Sequence, residues 1–223
     1  MSSSRELILA RVRDALAVGS PAAAPVRDYR QRGALARPAR IDLLCERLGD
    51  YRAAVRRVGT AGLARAIAEE FAARDAARVC LPAGIPTAWR PEGLELVEDS
   101  ELSNAALDAC DGVLTGCTLA IAETGTLVLT GGSTEGRRAL TLIPDLHVCV
   151  VGEEQVVELV PEAMAQLGER VRSERAPITL ISGPSATADI ELSRVEGVHG
   201  PRTLVVLVVK RLAPASGEKA HGA

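Results

Sequence analysis

Aromatic side chains are scarce in this 223-residue chain, where Tyr29, Tyr51, Phe71 and Trp89 are the whole complement. The core must therefore be packed from Leu, Val, Ile and Ala, and stacking of bases or sugars on aromatic faces is excluded as the main binding mode. Lysine is almost absent too, with only Lys210 and Lys219, and no function attaches to that bias. The five cysteines, Cys45, Cys80, Cys110, Cys117 and Cys149, are odd in number and contain no Cys-x-x-Cys pair. They read as small core residues in a reducing compartment, not as a disulfide framework or a metal cage. The lone spacing of Cys110 and Cys117 matches neither zinc fingers nor ferredoxin-like clusters. No Walker loop, no Gly-x-Gly-x-x-Gly after a strand and no His-Glu-x-x-His helix is present, which leaves a self-sufficient dehydrogenase without support. No apolar run approaches membrane-spanning length, and the start Met1-Ser2-Ser3-Ser4-Arg5-Glu6 lacks a signal peptide, so a cytoplasmic protein is expected.

The length suits one well-buried α/β domain with an N-terminal extension. Net charge is formally −3, unevenly spread: residues 1–65 carry thirteen Arg against six acids, a balance of +7, which leaves −10 for the remainder. Either the basic segment meets an acidic partner or it lies against the acidic remainder of its own chain. Nucleic-acid binding is not needed to explain it.

Residues 4–16 place Leu7, Ile8, Val12 and Leu16 on one face of a helix behind a serine cap, and the Pro/Ala/Arg-rich stretch 19–40 reads as an exposed linker. That helix either folds back on its own domain or docks on another subunit. Helices are predicted over 41–55 and 60–74, the second with Leu63, Ile67 and Phe71 in one stripe, and over 161–172 behind Pro161. Strands are predicted at 78–81, 94–97, 113–115, 119–122, 126–130, 147–151, 178–182 and 203–209, the last two with the continuous apolar character of central strands. Strands alternating with helices predict an α/β fold of three layers, a mostly parallel sheet with helices on both faces. Residues 1–40 form the N-terminal helix and linker of this division, 41–212 the domain, and 213–223 a disordered tail.

The most informative stretch is Gly-Pro-Ser-Ala-Thr-Ala-Asp-Ile-Glu at residues 183–191, where the apolar run 178–182 stops and Gly183 and Pro184 force a turn. Ser185, Thr187 and Asp189 then offer side-chain oxygens beside what would be the unpaired amides of a helix start, a corner suited to an anion unless Asp189 fills it. Two further segments share this character, Ile-Ala-Glu-Thr-Gly-Thr-Leu at 121–127 and Val-His-Gly-Pro at 198–201, with Arg-Arg-Ala-Leu-Thr-Leu-Ile-Pro-Asp-Leu-His at 137–147 between them. Together, from residue 41 to 210, they resemble the LUD domain, specifically the lactate-utilisation protein C family of bacteria. That family belongs with ribose-5-phosphate isomerases and CoA transferases, so the resemblance implies an α/β fold of that type with ligands at strand ends. Fold kinship alone does not fix the chemistry.

Several residues are candidates for it. Glu123 is the only charge between residues 113 and 130, and a carboxylate in such surroundings needs hydrogen bonds or a cation in answer. In the related CoA transferases a glutamate before a small residue and glycine attacks the acyl-CoA, and Glu123-Thr124-Gly125 is similar in outline; the plainer alternative is that Glu123 fixes a loop. Arg137 and Arg138 follow the glycine-rich loop 131–136, and a guanidinium there can grip a small hydroxy or keto acid, unless one arginine answers Glu123 or Asp145 internally. His199 is a candidate proton shuttle, and the resemblance places its His-Gly-Pro at the same mouth as the Gly183 corner. His147, inside an apolar run, reads as a core histidine. Lactate oxidation needs an electron acceptor for which this chain shows no site, and the resemblance implies iron-sulfur clusters in companion proteins. Three readings follow: a cluster-free subunit that binds lactate or a similar organic acid or assembles those iron-sulfur partners, an acyl- or CoA-transferring enzyme using Glu123, and a non-catalytic organic-acid-binding module.

Overall fold

Two charge-free, β-branched runs form the centre of the protein, residues 146–152 and 203–209. Such runs bury both faces, which only a sheet covered on each side allows. The computed structural model describes residues 3–17, 25–26, 28–175, 177–184, 186–187, 195–196 and 200–212. Along the chain come α1 (Ser4–Ala17), α2 (Arg37–Asp50), β1 (Ala54–Val58), α3 (Leu63–Ala72), β2 (Arg78–Pro82), β3 (Glu95–Asp99), α4 (Asn104–Asp108) and β4 (Gly112–Thr115). They continue with β5 (Leu119–Ile121), β6 (Thr126–Leu129), β7 (Leu146–Gly152), β8 (Val156–Val157) and α5 (Val160–Glu174). The last are β9 (Thr179–Ile181), β10 (Ala186–Thr187), β11 (Val195–Glu196) and β12 (Thr203–Val209).

The main sheet has the order β1-β12-β7-β4-β2-β3, with every neighbouring pair parallel. Because side chains alternate along a strand, Val148, Val150, Val205 and Leu207 face one way, onto Leu63, Ile67 and Phe71 of α3. Cys149, Val151, Val206 and Val208 face the other way, onto Ile41, Leu44 and Leu48 of α2 and onto Ala120 and Leu127 of a second sheet, ordered β8-β5-β6-β9. Ala163 and Leu167 of α5 close the outer side of that second sheet over Leu119, Ile121 and Val128. The fold is thus the expected α/β arrangement of a mostly parallel sheet with helices on both faces. A small, largely antiparallel sheet adds to one side.

Several expectations need correction. The helix expected over 41–55 starts at Arg37, with Pro38 in its first turn, and ends at Asp50, and Ala54–Val58 is instead the edge strand β1. An edge strand has one neighbour, so Arg56 and Arg57 are tolerated there; they pair with Glu69 and Asp42. Arg65, like Arg56, pairs with Glu69 just beyond the basic segment, whereas Arg47 and Arg57 pair with Asp50 and Asp42 inside it. The stretch read as exposed linker is tied down near its end, where Gly33 N–H donates to Glu162 (3.0 Å) and Leu35 N–H to Glu158 (2.6 Å). The expected helix start after Gly183 is not found at Ala186 and Thr187, which pair antiparallel with Val195 and Glu196. Strand pairing rather than a helix turn takes up their backbone. Residues up to Arg30 form a separate unit whose helix α1 exposes Leu7, Ile8, Val12 and Leu16. The expected tail 213–223 lies outside the described residues.

Candidate functional site

The glycine-rich loop after β6 is organised around one acid. Glu135 is 3% exposed, and its carboxylate accepts from the amides of Thr130 (2.6 Å) and Gly132 (2.9 Å) and from the Thr118 hydroxyl (2.6 Å). A buried carboxylate with this many donors is compensated, and it fixes the loop that leads into Arg137 and Arg138. That loop, Pro82 to Gly84 after β2 and Asp99 to Glu101 after β3 enclose a cavity of about 670 Å³. It lies at the carboxyl ends of β2 and β3, where open parallel sheets hold ligands.

The two arginines differ sharply. Arg137 is committed: Nε and Nη2 donate to the two carboxylate oxygens of Asp99 at 2.8 and 3.0 Å. The partnership raises the Arg137 guanidinium and holds Asp99 below the usual carboxylate range. The expected internal partners, Glu123 and Asp145, are not used, and Asp145 pairs with Arg202 at 3.0 Å. Arg138 uses Nη1 alone, donating to the carbonyl and hydroxyl of Thr141 at 2.9 and 2.8 Å. Among the described residues no carboxylate answers it. The Arg138 side chain is exposed, and desolvation of part of it pulls the guanidinium below the usual arginine range.

Arg138 and Thr141 line both the large cavity and a second one of about 220 Å³. The smaller space is walled by His147, by Ser182 to Pro184 after β9, and by Gly200, Pro201 and Leu204 at the start of β12. Gly183 is buried there at φ +83°, and a Cβ on it would meet the Tyr51 backbone oxygen at 2.8 Å. The wall requires glycine on both counts. The structure therefore brings the Gly183-Pro184 and Gly200-Pro201 corners together at Arg138. Ser185, Asp189 and His199 lie outside the described residues, and Thr187 is described only as part of β10.

Glu123 is not where its apolar sequence neighbours suggest. It is exposed, at the turn between β5 and β6, and its N–H donates to the Glu158 carbonyl at 3.0 Å. The hairpin lifts the turn out of the core while the flanking strands stay buried, so burial makes no demand on this carboxylate. Gly125 packs against Arg47 of α2, and neither residue lines the two cavities. Thr124 is linked to the smaller cavity by hydroxyls alone, through Thr126 (2.7 Å) to Ser182 (2.8 Å).

A family model described as the LUD domain matches residues 51–209. The chain belongs to the LUD domain family. Over 165 residues it is 52% identical to a lactate utilization protein C of Deinococcus radiodurans, covering 74% of this chain and 76% of that protein. A lactate utilization protein C of Halalkalibacterium halodurans is 35% identical over 122 residues, 53% of this chain and 50% of the relative. A crystal structure of a DUF162 family protein from Deinococcus radiodurans superposes with a TM-score of 0.70 at 43% identity, covering 79% of this chain and 99% of that one.

Within this LUD domain the sequence motifs lead to the Arg138 region but miss two of its buried polar groups. Glu135 sits among glycines in a segment that reads as a solvated loop. His147 is buried as expected of a core histidine, with Nε2 at 2.7 Å from the Thr115 hydroxyl, yet it also forms part of a cavity wall. Among the described residues no group of three or more His, Cys, Asp or Glu side chains is placed to hold a metal ion. Cys80, Cys110, Cys117 and Cys149 are buried free thiols, and no helix among the described residues is long and apolar enough to cross a membrane.

Proposed function

We propose that this LUD domain protein serves in lactate utilisation by binding a small organic acid such as lactate at Arg138, with redox chemistry carried by iron-sulfur partner proteins. The observation that carries the reading is the contrast between adjacent arginines: Arg137 is neutralised by Asp99, while Arg138 keeps Nε and Nη2 without a partner among the described residues. A partly desolvated guanidinium with two spare donors suits a carboxylate, and a space of about 220 Å³ suits an acid of a few carbons. The relatives that bear the name lactate utilization protein C point to lactate as the acid.

Oxidation of lactate to pyruvate releases two electrons and two protons, so an acceptor is needed. Iron-sulfur proteins acting with this chain supply it, and the free thiols suit a reducing, cytoplasmic setting. The alternative reading, acyl or CoA transfer through Glu123, finds that residue exposed and outside both cavities. Reconstitution with the proteins encoded beside it, assayed for lactate oxidation, tests the proposal. Activity should require this chain and fall at least about tenfold with Arg138→Gln, the loss expected for a charge-assisted pair. Unchanged activity without the chain overturns it.

A further inference from the structure

His147 is the one imidazole on the wall of the Arg138 cavity among the described residues, and its placement there is rigid. The residue is 1% exposed and Thr115 0%, and Nε2 and the Thr115 hydroxyl lie 2.7 Å apart. Both side chains project from the same face of neighbouring strands, β4 and β7, whose register sets Val113 beside His147 and Thr115 beside Cys149. No hydrogen bond to Nδ1 is made among the described residues, and the other polar group beside the ring is the Cys149 thiol, two residues on along the same face of β7. A buried ring tied at one nitrogen and free at the other, on the wall of a small cavity, is built to meet a polar atom there.

We infer that His147 reads the α-oxygen of the acid whose carboxylate Arg138 holds, so that the site selects 2-hydroxy and 2-keto acids over plain carboxylic acids of equal size. The inference rests on the reading of the Arg138 cavity as the acid site. Its chemistry follows from the threonine, whose hydroxyl both donates and accepts. When Thr115 donates to Nε2, Nδ1 carries the ring proton and donates to a keto oxygen. When Thr115 accepts from Nε2–H, Nδ1 is bare and accepts from the hydroxyl of a hydroxy acid. One tie therefore serves both redox states of the ligand, and an unsubstituted acid leaves Nδ1 unmatched.

The test is a ligand-observed NMR titration of the full chain with L-lactate, pyruvate and propionate, three acids of similar size. Lactate and pyruvate should bind at least about tenfold tighter than propionate, as one matched hydrogen bond against a buried unpaired nitrogen requires. His147→Phe should bring the three affinities within about threefold of one another while propionate binding holds, the hydrogen-bond share of the discrimination being gone. Thr115→Val, which frees the ring without removing it, should narrow the gap and serves in place of the Phe variant if that does not fold. If wild-type protein binds propionate as tightly as lactate while Arg138→Gln weakens both, the role of His147 is overturned and the acid site stands. If none of the three acids binds, both fall together.

Discussion

Replacing Glu135 by alanine exposes how much of the site rests on one buried acid. The substitution leaves the Thr130 and Gly132 amides without their acceptor, whereas the Thr118 hydroxyl can still bond to that of Thr130, 2.8 Å away. Each buried amide left unsatisfied costs about 1–3 kcal/mol, so the loss is about 3 kcal/mol once water entering from the cavity relieves part of it. For a chain of this size each kcal/mol moves the melting temperature about 2–4 °C, which gives a drop of about 6–12 °C. Glu135→Gln is the informative control. Its amide keeps one oxygen for the two backbone donors and turns its NH2 toward Thr118, which can accept, so the cost should be only about 1 kcal/mol. Calorimetric unfolding of the three proteins in one buffer decides the matter. An alanine variant melting within about 2 °C of wild type would refute the staple, since no buried amide would then have lost anything.

The pair formed by Asp99 and Arg137 carries a pH signature. Because Arg137 holds Asp99 below the usual carboxylate range, the unfolded chain takes up the proton first as pH falls. Its stabilisation is thus complete above about pH 4 and drains away as pH drops through the native value. The gap in melting temperature between wild type and Asp99→Asn should be widest above the usual carboxylate range and narrow as pH falls below it, and a gap that widens in acid contradicts the pairing. At Gly183, alanine meets both a left-handed backbone and the Tyr51 oxygen at 2.8 Å. It should cost at least about 1–2 kcal/mol by denaturant titration and weaken acid binding, whereas an undisturbed variant would contradict the described wall. Of the five cysteines only Cys45 is partly exposed, so native protein should show one thiol reacting readily with an aromatic disulfide reagent and five after unfolding. Several fast-reacting thiols in the native state would contradict the packing.

What the sequence made legible follows from where apolar pattern and function coincide. Of the two runs expected to be central, 203–209 is, beside 146–152 and covered on both faces, whereas 178–182 forms only β9, an edge strand of the second sheet with Leu180 54% exposed. β1 was hidden because Arg56 and Arg57 break its pattern, which only its edge position permits. Glu123 misleads for a related reason: linear neighbours report the strands around it, while a hairpin turn carries it out to solvent. Arg138 and Gly183 were visible as a cation after glycines and a glycine before proline. The separation of Arg137 from Arg138 was not, since it depends on Asp99, thirty-eight residues earlier and brought near by the parallel pairing of β2 and β3. The tie between Thr115 and His147 is likewise a long-range fact, while Glu135 bonds mainly to amides three and five residues before it, in a glycine-rich loop with no periodicity to reveal it.

The claim on which everything else depends is that Arg138 holds a small carboxylate. Isothermal titration of L-lactate into the wild-type chain and into Arg138→Gln and Arg137→Gln variants measures it most directly. Wild type should bind one lactate per chain. Arg138→Gln should weaken that binding at least about tenfold, and Arg137→Gln should alter it no more than about threefold, because Asp99 already neutralises Arg137, which does not line the smaller cavity. Equal losses from the two substitutions, or lactate binding that ignores Arg138, would contradict the account.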